Sequence, residues 1–200
     1  MDIMRDIPDK YFELAIVDPP YGIGMDGQKL SIFKNPKHNH KEHKRKNWDN
    51  KIPDEIYFEE LKRISKNQII WGGNYFTEFL NPTKAWIIWD KGQYGLTMSD
   101  GEMAWSSFKT VTRIKKINRI ELLKDGTIHP TQKPIALYRW LLHNYAKPGD
   151  KIIDTHSGSG SLSCACHLEK FDFLAIEKDP DYHAASVKRL EELRSQGTLF

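Results

Sequence analysis

Cysteine is nearly absent from this 200-residue chain. Its two cysteines, Cys164 and Cys166, are separated by a single residue, too close for an ordinary disulfide and too few for a zinc site. They read as small core fillers. Long apolar runs are missing too, since no segment approaches the ~18 apolar residues of a membrane span. Asp2, Arg5 and Asp6 break up the start, so nothing there reads as a signal peptide, and a soluble, cytoplasmic protein is expected. Repeats and low-complexity tracts do not occur. Net charge is also scarce, at +3, but it is unevenly spread. Between Gln28 and Trp48 six Lys and one Arg face a single Glu, leaving the remainder net acidic. A second basic stretch holds Lys109, Arg113, Lys115, Lys116 and Arg119 with no acid among them. Such runs are either solvated surface or a site for a polyanion.

A hydrophobic content of 39% over this length suits one domain with a sizeable core. Asp2 to Lys10 reads as a short amphipathic helix and Phe12 to Val17 as a strand, stopped where Pro19 and Pro20 cannot donate to a ladder. From Met25 to Asn50 neither helical nor strand periodicity appears, and a loop that long inside a compact domain is usually functional. Helical spacing returns from Pro53 to Lys66. Gln68 to Trp71 and Ala85 to Trp89 read as buried strands, and Glu102 to Ser107 as an antiparallel partner. Pro134 to Tyr145 is a helix with Pro in its first turn. Next come a strand at Lys151 to Asp154, a Gly/Ser loop opening a helix through Leu168, a strand at Asp172 to Glu177, and a helix at Pro180 to Arg194. Strands alternating with helices predict an α/β fold, with a Rossmann-like, mostly parallel sheet, helices on both faces and an antiparallel hairpin at one edge.

In such a sheet ligands lie at the carboxyl ends of the strands, and two of those ends carry chemistry. One is Asp18-Pro19-Pro20-Tyr21. The other is Asp154-Thr155-His156-Ser157-Gly158-Ser159-Gly160-Ser161, followed by Glu177 at the next strand end. Glycines let a ligand approach the backbone, a helix start offers free N–H groups, and an acid at the next tip suits both hydroxyls of a ribose. A tight strand-to-helix turn without a ligand would look alike. A dinucleotide fits less well, because Ser163 stands where its fingerprint requires a third glycine. At Asp18 to Tyr21 the pattern suits an exocyclic amine on a nucleobase, whose lone pair is delocalised into the ring. Hydrogen bonds from the amine to the Asp18 carboxylate and the Pro19 carbonyl favour its localised form, while Tyr21 stacks on a base taken out of its helix.

With these motifs in this order, the chain resembles the S-adenosylmethionine-dependent DNA amino-methyltransferases, specifically the β-group with permuted motif order. The resemblance runs through LAIVDPPYGIG, NQIIWGGNYF, AWIIWDKG, the His129-Pro130-Thr131-Gln132-Lys133-Pro134 element, and DTHSGSGS with AIEKDPDY. It implies that Asp18, Pro19, Pro20 and Tyr21 are catalytic and that S-adenosylmethionine is the cofactor. Gly158 and Gly160 would wrap its methionine portion beside Ser157, with Asp154 near its amino group. Glu177 would take the ribose hydroxyls, His156 would stand where relatives carry an aromatic, and Thr131 and Lys133 would flank the cofactor's tail. Asp at the first catalytic position points to adenine N6. Cytosine N4 or RNA as the substrate, or a DNA-binding module that has lost its cofactor, are the alternatives.

The resemblance further implies a single methyltransferase domain over residues 1–200, DNA as partner, a homodimer as a common assembly, and a prokaryotic cell or its phage as the source. Relatives carry one more strand ahead of the first helix, so the sheet is expected to lack an edge strand or the start to have been lost. A short target-recognition segment falls at about 108–128. DNA contacts are expected from Lys34, Lys37, Lys44, Arg45 and Lys46 in the basic loop at 25–50, and from Lys109, Arg113, Lys115, Lys116 and Arg119. His38, His40 and His43 lack cysteine or acidic companions, and no metal is expected.

Overall fold

The computed structural model describes residues 1–26, 46–95, 99–118, 128–129 and 131–196. Seven strands form one sheet in the order β5-β3-β4-β2-β1-β6-β7. They are β1 (Phe12–Val17), β2 (Ser65–Trp71), β3 (Ile87–Asp90), β4 (Gly101–Ser106), β5 (Arg113–Lys116), β6 (Lys151–Asp154) and β7 (Asp172–Ala175). Only β4 runs against the rest, pairing antiparallel with β2 and β3. The expected antiparallel pair is present, with β5 added outside it in parallel with β3.

Alternation along the central strands sends side chains to two separate cores. Leu14, Ile16, Ile69, Trp71 and Ile152 face one, Ala15, Val17, Ile70 and Ile153 the other. On the second face lie α1 (Asp2–Arg5) and α2 (Glu55–Ile64), which contribute Met4, Phe58, Leu61 and Ile64. The first face is covered by α3 (Ile135–Tyr145), through Leu137, Leu141 and Leu142, and by α4 (Ser161–Glu169), through Leu162, Ala165 and Cys166. The final helix, α5 (Pro180–Gln196), packs along α4. Each fully buried Leu or Ile in these layers stabilises the fold by about 1.5–3 kcal/mol.

Local chemistry sets the element ends. Asp54 caps α2 by accepting the Tyr57 N–H at 3.2 Å, and Ser65 ends it by turning extended. The first helix is shorter than its pattern suggests, ending at Arg5 rather than reaching Lys10. Pro8 cannot supply an i to i−4 bond, and Lys10 sits at φ 53. Arg63 of α2 takes up the freed carbonyls of Met4 and Ile7, at 2.8 Å each. Cys164 and Cys166 are buried and form no disulfide, and Trp89 is core, as expected. Among the described residues no helix is long and apolar enough to cross a membrane.

Candidate active site at two adjacent strand tips

In the sheet β1 stands between β2 and β6 and is parallel to both. The chain leaves β1 through α2 over one face, and leaves β6 through α4 over the other. This is the switch point at which open α/β sheets form a crevice, and it brings the tip carrying Asp18 beside the tip carrying Asp154.

On the β1 side, Asp18 accepts the Tyr21 hydroxyl at 2.6 Å through Oδ1 and the Lys133 ammonium at 2.5 Å through Oδ2. Burial pushes the Asp18 carboxyl above the usual carboxylate range, and the neighbouring ammonium opposes this. The Tyr21 ring stacks on Tyr75 with centroids 5.0 Å apart and planes 16° from parallel. Beneath it lies Gly72, at φ +68, where an added Cβ would fall 2.1 Å from a Tyr21 ring carbon. The turn after Tyr21 is held by Asp49, whose two oxygens accept the N–H groups of Gly22 and Met25 at 2.8 Å each. Asp26 binds the backbone N–H groups of Lys46 and Asn47 in the same way. Chain leaving the site at 26 and chain returning at 46 are thereby fastened together.

On the β6 side, Asp154 accepts the His156 N–H at 3.0 Å. Burial raises its carboxyl to about 8, the His156 N–H opposing and the charges of Asp18 and Glu177 adding to the rise. Glu177 accepts the N–H groups of Gly158 at 2.7 Å and Asp179 at 2.8 Å. The two glycines of this loop differ in use. A Cβ on Gly158 would meet nothing closer than the His129 ring at 3.9 Å, whereas on Gly160 it would meet Ser186 at 2.9 Å. Gly158 therefore faces open space, and Gly160 lets α4 pack on α5. Trp48, His129 and Tyr182 line the same region, with ring centroids 4.9 and 4.5 Å apart along the series. His156 lies 3.1 Å from the Thr155 hydroxyl and 3.4 Å from that of Tyr57, and burial lowers its pKa to about 4, so its ring is neutral. An open glycine backbone, a carboxylate at the next strand tip, a buried acid and an aromatic wall fit a nucleoside carrying a cationic chain.

Several expected site residues take unforeseen partners. Lys133 is buried, and its ammonium is taken up by Asp18 and, at 3.0 Å, by Glu102. Burial works against its charge, yet those two carboxylates hold its pKa above the ordinary lysine value. Thr131 bonds the His129 ring, its hydroxyl 3.1 Å from Nδ1. Lys46 is paired within the protein, to Asp179 at 2.6 Å and Asp181 at 2.7 Å. Lys109, Arg113 and Lys116 are exposed and Lys115 half-buried, with β5 making the last three an edge strand. Lys34, Lys37, Lys44, Arg45, Arg119 and the histidines 38, 40 and 43 lie outside the described residues. Among the described residues no cluster could hold a metal. Surface hollows beside α2, lined by Phe58, Lys62, Phe79 and Asn81 among others, contain neither strand tip.

Glu102 was not anticipated. Because β4 runs antiparallel, its first residues, not its last, reach the rim formed by the carboxyl ends of its neighbours. There Glu102 bonds Lys91 at 2.7 Å as well as Lys133. Burial works against its charge, but the two ammonium groups leave its pKa below the usual carboxylate value. A lone acid opening an otherwise apolar strand was the available signal. For Asp49 and Gly72 a sequence alone offers no comparable clue.

Comparison with known proteins agrees with this arrangement. In Bacillus subtilis the Type II methyltransferase M.BglI is 25% identical over 122 residues, which is 60% of this chain and 34% of that protein. The Type II methyltransferase M.XycI of Xanthomonas campestris pv. cyanopsidis is 33% identical over 63 residues, 32% of this chain and 21% of its own length. The match thus spans about a third or less of these curated relatives. Among solved structures, the M1.HpyAVI-SAM complex superposes with a TM-score of 0.61 at 17% identity, covering 94% of each chain. PvuII DNA methyltransferase (cytosine-N4-specific) gives a TM-score of 0.59 at 13% identity, covering 96% of this chain and 86% of that one. These likenesses establish the fold. A family model described as DNA methylase matches residues 35–188, more than half of the chain and including the tip that carries Asp154, and the chain belongs to that family of N6/N4 DNA methylases.

Proposed function

We propose that this chain transfers a methyl group from S-adenosylmethionine to an exocyclic amine of a DNA base extruded from the helix, adenine N6 being the favoured target. The observation that carries the reading is the adjacency of β1 and β6, which sets the Asp18 carboxylate beside the Asp154–Gly158 loop. When bound, the cofactor supplies an electrophilic methyl group on a sulfonium. Asp18 accepts an N–H of the amine and turns its lone pair toward that methyl, and the Tyr21 ring stacks on the base. Methyl transfer from the bound cofactor would leave a surplus proton on the amine nitrogen, which Asp18 or water would accept. Support for DNA as substrate comes from the family and from the named activities of the relatives. Asp rather than Ser at position 18 favours adenine. The test is incorporation of tritiated methyl into defined DNA and RNA followed by nucleoside analysis. Label in N6-methyladenine of DNA is expected, label in N4-methylcytosine redirects the substrate, and label in neither overturns the reading.

Asp154 gives the cofactor site a pH dependence. Its carboxyl, raised to about 8, is largely protonated at neutral pH, and a cationic ligand favours the charged form. Cofactor binding should therefore release a proton below pH 8. Affinity should rise with pH by up to about tenfold per unit and level off above 8. In the ligand-free protein the sign is the opposite: a pKa raised from 3.8 to about 8 favours folding fully below about 4, and that contribution is lost between there and about 8. Calorimetry in two buffers of different ionisation enthalpy measures the released proton directly. A dissociation constant unchanged between pH 6 and 8 would remove Asp154 from the site.

The basic edge strand is proposed to hold DNA phosphates. Lys115→Ala with Lys116→Ala should flatten the slope of log affinity against log salt by about two. An unaltered slope places DNA elsewhere.

A further inference from the structure

Both oxygens of Asp18 already have donors on this chain: the Tyr21 hydroxyl on Oδ1 and the Lys133 ammonium on Oδ2. Each oxygen keeps a further lone pair, so a substrate amine can join Lys133 at Oδ2 or take its place. The lysine has somewhere to go. Its ammonium carries three N–H groups, one directed at Asp18, one at Glu102 3.0 Å away, and one toward the Tyr21 oxygen at 3.3 Å. Glu102 is itself steadied by Lys91 at 2.7 Å. With Asp18 given over to an amine, Glu102 keeps the ammonium beside it, and an N–H is released next to the bound amine.

An acceptor and a donor side by side form the pattern with which a side-chain amide pairs to an adenine edge. In adenine and in cytosine alike, the carbon bearing the amine also bonds a ring nitrogen that carries no hydrogen and can accept one. We propose that Lys133 is a specificity-determining residue of the amine site, donating to that ring nitrogen while Asp18 accepts from the amine, with Glu102 and Lys91 as the positioning residues that hold it. Thymine and uracil present an N–H at the corresponding ring position and a carbonyl in place of the amine, so they match neither the N–H of Lys133 there nor the carboxylate of Asp18. The inference rests on the amino-methylation reading and assigns Lys133 to the base rather than to the cofactor.

The test uses the full chain and DNA duplexes whose target adenine is replaced by 1-deazaadenine, which keeps the amine but has CH for the ring nitrogen. Loss of a hydrogen bond to a charged donor should lower kcat/KM roughly 10- to 100-fold. 7-Deazaadenine, altered on the far edge, should change it by less than about threefold. In Lys133→Met the 1-deaza penalty should vanish, because the donor is already gone. Equal penalties in parent and variant, no 1-deaza penalty in the parent, or a penalty confined to 7-deazaadenine each overturn the assignment. If the variant does not fold, the two analogues on the unaltered protein still decide. Failure to methylate any unmodified base overturns the underlying reading instead, so the two failures are distinct.

Discussion

Replacing Asp18 with alanine is expected to cut methyl transfer by at least roughly 10²–10³-fold, the loss seen when a single preorganised reacting-site hydrogen bond is removed. The methyl side of the site should survive, because Asp154, Gly158 and Glu177 are held by their own backbone bonds. Cofactor affinity should therefore stay within a few-fold of the parent. Stability will suffer, since Lys133 loses one of the two carboxylates that offset its burial, and breaking a buried pair from one side costs about 3–5 kcal/mol. Asp18→Asn separates the two effects by keeping the shape and one acceptor oxygen. Single-turnover rates with prebound cofactor provide the measurement, and parental turnover in the alanine variant would dismiss the role assigned to Asp18.

The second large effect belongs to a residue with no side chain. Gly72→Ala places a methyl 2.1 Å from the Tyr21 ring at a φ of +68, so the ring must leave its stack on Tyr75 or the β2 tip must shift. Left-handed strain and overpacking cost about 1–3 kcal/mol each, and at 2–4 °C per kcal/mol for a chain of this size the melting temperature should fall by roughly 5–20 °C. Activity should drop further than the folded fraction does, because Tyr21 is displaced from where the base must lie. Tyr21→Ala makes the test specific: in that background Gly72→Ala loses the clash and retains only its backbone strain, giving a clear coupling energy in a double-mutant cycle. Strict additivity would mean that Gly72 does not act through Tyr21.

How far these residues could be read in advance follows from the physics of each. β1 was legible over its full length, Phe12–Val17, because an apolar run ends at prolines that cannot join a ladder. Alternating strands and helices pointed to a mostly parallel sheet, but which tips are neighbours is set by the strand order and not by that alternation. By contrast β5 pairs four residues whose side chains are mostly exposed, and a polar edge strand has no hydrophobic period to betray it. Lys46 was read as a phosphate contact, yet Asp179 and Asp181, more than a hundred residues away, hold its ammonium. Lys133 likewise meets Asp18 across 115 residues, and Glu102 reaches Lys133 from a different segment of the chain. Charge partners between distant segments leave no local pattern, so the chemistry of each tip could be inferred while the wiring joining them could not.

Asp26 and Asp49 tie the two returning strands of chain together just past Tyr21. A span whose entrance and exit are pinned at one spot can change its length or composition without transmitting strain to the reacting carboxylate. That makes this spot a natural graft point, where other segments can be spliced in by evolution or by an engineer while the chemistry beneath stays untouched.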